Sequence, residues 1–135
     1  RFDKASDDRA PFAHHVARPV DVLLFEGWCV GAKPQDQAAL AAPLNRLEAD
    51  EDPDGLWRGV VNLHLAHDYA RLIGYIDLLV MLKVDSFEAV LANRRRQEQK
   101  LAAANPGAPG LMDEAALVRF ISHYERLTRH LLAEM

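Results

Sequence analysis

The sequence predicts an α/β fold built around a parallel sheet. Two apolar runs and one helical stripe carry that expectation. Val22, Leu23, Leu24 and Phe25 form an unbroken run that ends abruptly in Glu26 and Gly27. Residues 78–82 form a second unbroken apolar run. Towards the end, Leu117, Ile121, Tyr124, Leu127, Leu131 and Met135 recur at spacings of three and four, the signature of one buried helical face. Short continuous apolar runs read as strands covered on both faces, as in a parallel sheet flanked by helices. Two such strands make too small a sheet to stand alone, so the chain is expected to be part of a larger domain whose first strands lie outside it.

The elements follow in order. Residues 1–19 are polar, with Pro11 and Pro19, and read as a loop. A strand is expected over 20–26, then an irregular turn over 27–34 with Gly31 and Pro34. Residues 35–49 are rich in alanine and leucine and helical in tendency. Pro43 interrupts them as the first-turn residue of a second short helix reaching Glu48. An acidic loop is expected over 49–55. Val60, Leu63, Leu65, Tyr69 and Leu72 suit a helix over 56–72, with imperfect spacing, and Gly74 ends it. A second strand is expected over 76–84. Asp85 is placed to cap the next helix, with Glu88 completing a capping box, and that helix runs to about Ala104. Two prolines and two glycines mark 105–111 as a loop. Asp113 caps the last helix.

At 135 residues the length fits one domain, and half the residues are apolar, as in ordinary globular chains. The net charge of −4 argues against a nucleic-acid surface or a polybasic membrane patch. No apolar run has the length of a membrane span. The single cysteine, Cys29, excludes an internal disulfide and fits a reducing, cytoplasmic compartment. No signal peptide is visible, and the first residue is Arg1 rather than an initiator methionine. The oligomeric state is not readable.

Several residues can carry chemistry. Glu26 stands at the carboxyl end of the first apolar run, where open parallel sheets place their ligands. By itself the segment is equally consistent with an acid that merely faces water. Asp3, Lys4, Asp8 and Arg9 form a loop rich in both signs. Such a loop can hold a carboxylate with its cations and orient a hydroxyl with an aspartate. Arg94, Arg95 and Arg96 fan over roughly 200° of a helix, so at most two of them reach one ligand. The alternative is a solvated basic face with Glu98 paired to Arg94. Arg126 lies beside the apolar stripe, able to reach a site or to cover apolar surface with its stem. His64, His67 and Asp68 share a helical face without a third ligand in register, which favours surface or packing roles. His14 and His15 have no partner pattern, and Cys29 reads as a structural thiol. Trp28 and Trp57 suit a core or a pocket wall.

Taken together, several segments resemble the bacterial D-glycerate 3-kinase-type kinases, members of the P-loop kinase superfamily that includes phosphoribulokinase and uridine kinase. The first are Arg1-Phe2-Asp3-Lys4, Asp7-Asp8-Arg9 and Leu23-Leu24-Phe25-Glu26-Gly27-Trp28-Cys29-Val30-Gly31. Pro43-Leu44-Asn45, Leu47-Glu48, Trp57-Arg58 and Asn62 follow. Arg94, Gln97-Glu98, Lys100-Leu101 and His123-Tyr124-Glu125-Arg126-Leu127-Thr128 complete the set, so the resemblance covers nearly the whole chain. It departs in the lid, where Asn93-Arg94-Arg95-Arg96 stands in place of Trp-Arg-Leu-Gln.

The resemblance implies a three-layer P-loop kinase fold with a parallel sheet. Residues 1–135 would be the C-terminal portion of one such domain, with a lid helix over about 86–104 and a last helix over about 113–134. It implies ATP and Mg2+ as cofactors. Glu26 would act in catalysis and order the magnesium, directly or through water. Arg94 would be the catalytic lid arginine, and Asp3, Lys4, Asp8, Arg9, Trp28 and Arg126 would bind the substrate. The implied reaction is ATP-dependent phosphoryl transfer to a hydroxyl of a small hydroxy acid, D-glycerate. No Gly-x-x-x-x-Gly-Lys-Ser/Thr segment exists in the sequence, so this chain alone is expected to be inactive. The alternatives are a kinase for another small acceptor, such as pantothenate or a nucleoside, and a non-catalytic α/β interaction module on a kinase scaffold.

Overall fold

The computed structural model describes residues 2–3, 8–9, 11, 15–104, 106 and 110–134, and at 2–3 and 8–9 the backbone only. Six helices follow a short strand pair among these residues. They are α1 (Gln37–Leu40), α2 (Arg46–Glu51), α3 (Leu56–His64), α4 (Ala70–Ile73), α5 (Phe87–Ala104) and α6 (Glu114–Glu134). A π-helical turn, Leu65–Tyr69, joins α3 to α4. The strand pair is β1 (Phe2–Asp3) against β2 (Asp8–Arg9), antiparallel, with Phe2 opposite Arg9 and Asp3 opposite Asp8.

The expected parallel sheet is absent from the described residues, and the α/β three-layer reading is corrected accordingly. Residues 20–26 and 76–84 join no ladder. Leu24 and Leu82 are each 90% exposed. An apolar run becomes a central strand only when neighbours take up its N–H and C=O groups and other layers cover both its faces. Among the described residues neither run gains a strand neighbour, and cover reaches only parts of the second, such as Met81 against the core.

The two long helices form as expected. Asp113 Oδ1 accepts the Ala116 N–H at 2.8 Å and caps α6. Leu117, Ile121, Leu127 and Leu131 are buried along one stripe, and Tyr124 is half-buried. α5 is capped by Ser86 rather than Asp85: its Oγ accepts the Ala89 N–H at 3.3 Å. Glu88 is thereby free to pair with Arg129 at 2.7 Å instead of closing a capping box. Glu88 meets Arg129, Arg94 meets Phe120 and Arg95 meets Glu114, so α5 and α6 run antiparallel. Phe87, Leu117 and Ile121 form the core between them, with Val90, Leu91 and Met112 against it.

A second core cluster joins Ala32, Leu65, Leu127 and Leu131, with Cys29 and Met81 packed on it. Gly31 makes that loop possible. Its φ is +89°, and a Cβ there would lie 2.6 Å from Leu79 Cδ2. The helix expected over 56–72 exists, but the π-helical turn interrupts it, and Gly74 ends it through its N–H to Ala70 O at 3.0 Å. The expected acidic loop over 49–55 is shorter, because α2 continues through Glu51.

Candidate functional site

A cavity of about 480 Å3 opens between α2, α3 and α6. α2 is anchored beneath it by Asn45, not by Pro43. The Asn45 side chain accepts the Glu48 N–H at 3.0 Å and donates through Nδ2 to Ser122 O at 2.9 Å. One residue therefore caps α2 and fixes it to α6. Glu48 Oε2 in turn accepts the Leu44 N–H at 2.7 Å.

Two ion pairs line the cavity. Arg126 Nε donates to Glu48 Oε1 and its Nη2 to Glu48 Oε2, both at 2.7 Å, a bidentate fork. The same guanidinium donates to Ala39 O at 2.7 Å and to Ala42 O at 2.8 Å. Burial pushes the Glu48 carboxyl up, but the Arg126 hydrogen bonds, the Leu44 amide and the nearby guanidinium charges outweigh it and hold it below the usual range. The second pair is Asp52–Arg58 at 3.1 Å. Asp52 also accepts the N–H groups of Trp57 at 2.8 Å and Arg58 at 3.1 Å, capping the start of α3. Burial raises the Asp52 carboxyl, and these two amides together with the Arg58 charge bring it below the ordinary value. Arg58 Nε reaches Leu40 O at 2.7 Å, so the pair ties the ends of α1, α2 and α3 together. Gly55 permits this closure with a φ of +73°, and a Cβ there would sit 3.1 Å from the Arg58 guanidinium.

Asn62 clasps the Gln35 backbone, accepting its N–H at 2.6 Å and donating to its carbonyl at 3.0 Å. Trp28 and Trp57 supply aromatic surface to the wall. The Trp28 indole N–H donates to Thr128 Oγ1 at 3.1 Å, and its ring meets Tyr124 edge-on at 4.8 Å. His123 and Ser122 face the cavity from α6, and Glu51 from α2. Glu51 pairs with Arg119. The Arg119 hydrogen bond lowers the Glu51 carboxyl, partial burial works against it, and the charges of Arg119 and His123 lower it further.

Of the residues singled out in the sequence, Trp28, Trp57 and Arg126 come together at this cavity. Arg94 does not line it. Arg94 pairs with Glu98 at 2.7 Å, donates to Gln97 at 3.1 Å and lies over the Phe120 ring at 5.2 Å. Phe120 touches Tyr124, and Tyr124 touches Trp28, so Arg94 reaches the cavity wall only through a row of rings. Arg95 pairs with Glu114. Glu26 is exposed two residues before Trp28. Asp3 lies in β1, and Asp8 and Arg9 in β2; Lys4 falls outside the described residues. His64 pairs with Asp68 at 2.8 Å. Asn45, Glu48, Glu51, Asp52, Arg58, Asn62 and His123 had no role assigned from the sequence. Most lay within the resembling segments, but their partners sit far off in the chain and no local pattern reveals them.

Among curated proteins, the chain is 32% identical over 124 residues to "D-glycerate 3-kinase, chloroplastic" of Arabidopsis thaliana, an alignment covering 92% of the chain. It is 35% identical over 104 residues, 76% of the chain, to the uncharacterized kinase mug58 of Schizosaccharomyces pombe. The chain is homologous to the D-glycerate 3-kinase-like kinases. This D-glycerate 3-kinase-like chain spans 24% and 35% of the lengths of those two relatives. No protein-family model matches it, and no solved structure matches it.

A magnesium–nucleotide site is a separate matter. Among the described residues no group of three His, Cys, Asp or Glu side chains converges as metal ligands, and Glu26 is a lone exposed carboxylate. The sequence carries no phosphate-cradling Gly-Lys-Ser/Thr loop. The described residues therefore do not by themselves fit ATP and Mg2+. Among the described residues no helix is long and apolar enough to cross a membrane.

Proposed function

We propose that the protein is a small-molecule kinase that transfers a phosphoryl group from ATP, with Mg2+, to a hydroxyl of a small hydroxy acid. D-glycerate is the acceptor named by the plant relative. The observation that carries this reading is the similarity to kinases across 92% of the chain. The cavity supports it, because it has the size usual for small ligands and gathers Trp28 and Arg126. In this reading the acceptor lies against Trp28, with the Arg126–Glu48 pair shaping the floor. Asp3, Lys4, Asp8 and Arg9 contribute to holding its carboxylate and hydroxyls. Arg94 serves the charge that develops on the transferring group. Glu26 adds at most one oxygen to a magnesium shell that other residues complete. This chain alone, without a phosphate loop, is inactive.

The test is a coupled assay of ADP release by the full-length protein with ATP, Mg2+ and a panel of D-glycerate, pantothenate and uridine. Turnover with D-glycerate well above the other acceptors is expected. ADP release that no hydroxy acid stimulates would end the reading.

A further inference from the structure

We propose that Gln35 is the specificity-determining residue of this cavity, reading the acceptor hydroxyl that is not phosphorylated. The inference rests on the kinase reading above and deepens it, from phosphoryl transfer to the choice among hydroxy acids. Gln35 lines the cavity from the loop before α1 and is half-buried. Pro34 fixes the backbone just before it. Asn62 of α3 holds both of its backbone polar groups, the N–H at 2.6 Å and the carbonyl at 3.0 Å. A side chain on so fixed a base meets a ligand at little cost in ordering. The Gln35 carboxamide itself makes no hydrogen bond among the described residues.

The charges of the lining cancel in pairs. Arg126 holds Glu48, Arg58 holds Asp52, and Glu51 is bound to Arg119. Among the described lining residues no unpaired Lys or Arg is left to meet a carboxylate or the phosphates of a nucleotide. The part of the acceptor that suits this cavity is therefore its uncharged, hydroxyl-bearing end. Asn62 is committed to Gln35, Ser122 Oγ to Val118 O, and the Trp28 indole N–H to Thr128. Three neutral side chains of the lining keep a polar atom without a partner among the described residues: Gln35, Trp57 and His123. The Trp57 indole N–H can only donate, and that residue is 67% exposed. His123 is exposed, with Nδ1 3.0 Å from Arg119 O. Gln35 is more buried than either, and its carboxamide both donates and accepts, as a hydroxyl does.

That unpaired amide is what makes the reading selective. When an analogue without the hydroxyl binds, the carboxamide loses water and gains no partner. Sites built to bond a hydroxyl reject such analogues strongly. With D-glycerate as acceptor and its terminal hydroxyl reacting, the hydroxyl to be read is the one beside the carboxylate. 3-Hydroxypropionate lacks that group alone and keeps both the carboxylate and the reacting hydroxyl.

The experiment measures kcat/KM for D-glycerate and for 3-hydroxypropionate, with ATP and Mg2+, on the full-length wild type, Gln35→Leu and Gln35→Ala. The wild type is expected to favour D-glycerate by about 100-fold or more. Both variants should lose far more on D-glycerate than on 3-hydroxypropionate, bringing the ratio below about tenfold. The KM for ATP should change by less than about twofold. A well-folded variant that keeps the wild-type ratio overturns the proposal. So does one that loses equally on both acids, the mark of a merely structural role. Should neither variant hold its helical circular dichroism, the wild-type ratio decides, and one below about tenfold overturns it. A wild type silent with both acids sinks the kinase reading and this inference with it. An active wild type whose ratio the variants leave unmoved sinks Gln35 alone.

Discussion

Arg126→Ala is expected to act on stability. The guanidinium holds Glu48 in a fork at 2.7 Å and donates to the carbonyls of Ala39 and Ala42, joining α6 to α2 and to the loop after α1. Both side chains of the pair are only 13% exposed. Removing one partner of a buried pair costs about 3–5 kcal/mol, because the remaining charge is stranded. The residual exposure places this pair at the lower end, about 3 kcal/mol. For a chain of this size that lowers Tm by roughly 10 °C. The double variant Glu48→Ala/Arg126→Ala should recover part of the loss, since no carboxylate is then left without its cation. Urea unfolding followed by helical circular dichroism measures all three changes on one scale. An Arg126→Ala chain within about 0.5 kcal/mol of the wild type would refute the reasoning. Arg126 would then be free for a ligand.

Three further outcomes follow from the geometry. Gly55→Ala should destabilise by more than about 1 kcal/mol, because its φ is +73° and Arg58 stands 3.1 Å from the new Cβ. Gly59→Ala, in mid-helix with nothing within 4 Å, should stabilise by about 0.5–1 kcal/mol, and thermal melts compare the two. Arg94→Ala should cost about 1–3 kcal/mol by leaving the buried Glu98 carboxylate without its cation, while Arg95→Ala, which breaks an exposed pair, should stay below about 1 kcal/mol in the same melts. The Arg129 hydrogen bond holds the Glu88 carboxyl at about 2, below its ordinary 4.5. A depressed carboxylate stabilises the fold fully above its unfolded value and loses that contribution as pH falls through the folded one. The wild type should therefore lose stability between about 4.5 and about 2, and Glu88→Gln should flatten that part of the profile in acid unfolding. Identical acid curves for the two would contradict the assignment.

What the sequence disclosed was local. The α6 stripe and its Asp113 cap are set by residues three or four apart, and the pair Arg94–Glu98 lies within one helix. The sheet was misread because an apolar run reports a demand for cover and not its supply. Leu24 and Leu82 satisfy the pattern of a central strand yet meet no partner among the described residues. The cap of α5 slipped by one position because Asp85 and Ser86 are both good caps and only the geometry chooses. At the cavity, Arg126 and Trp28 were found through resemblance. Their actual partners, Glu48 and Thr128, lie 78 and 100 residues away. No periodicity encodes such pairings, and Asn45, Asp52 and Asn62 were hidden for the same reason.

The π-helical turn Leu65–Tyr69 accounts for the imperfect apolar spacing of its segment and has a consequence for chain length. A π turn carries one residue more than an α turn, and each residue advances a helix by roughly 100°. Everything before it is registered to the cavity: Arg58 and Asn62 point to their partners, and Leu65 is fixed in the core at 4% exposure. Deleting one residue within 66–69 would restore a continuous α-helix. It would leave that cavity face untouched and swing α4 and the run at 78–82 about a quarter-turn around the axis. Length variation at this turn, rather than substitution, is the change that re-aims α4 and the segment directly after it while sparing α3.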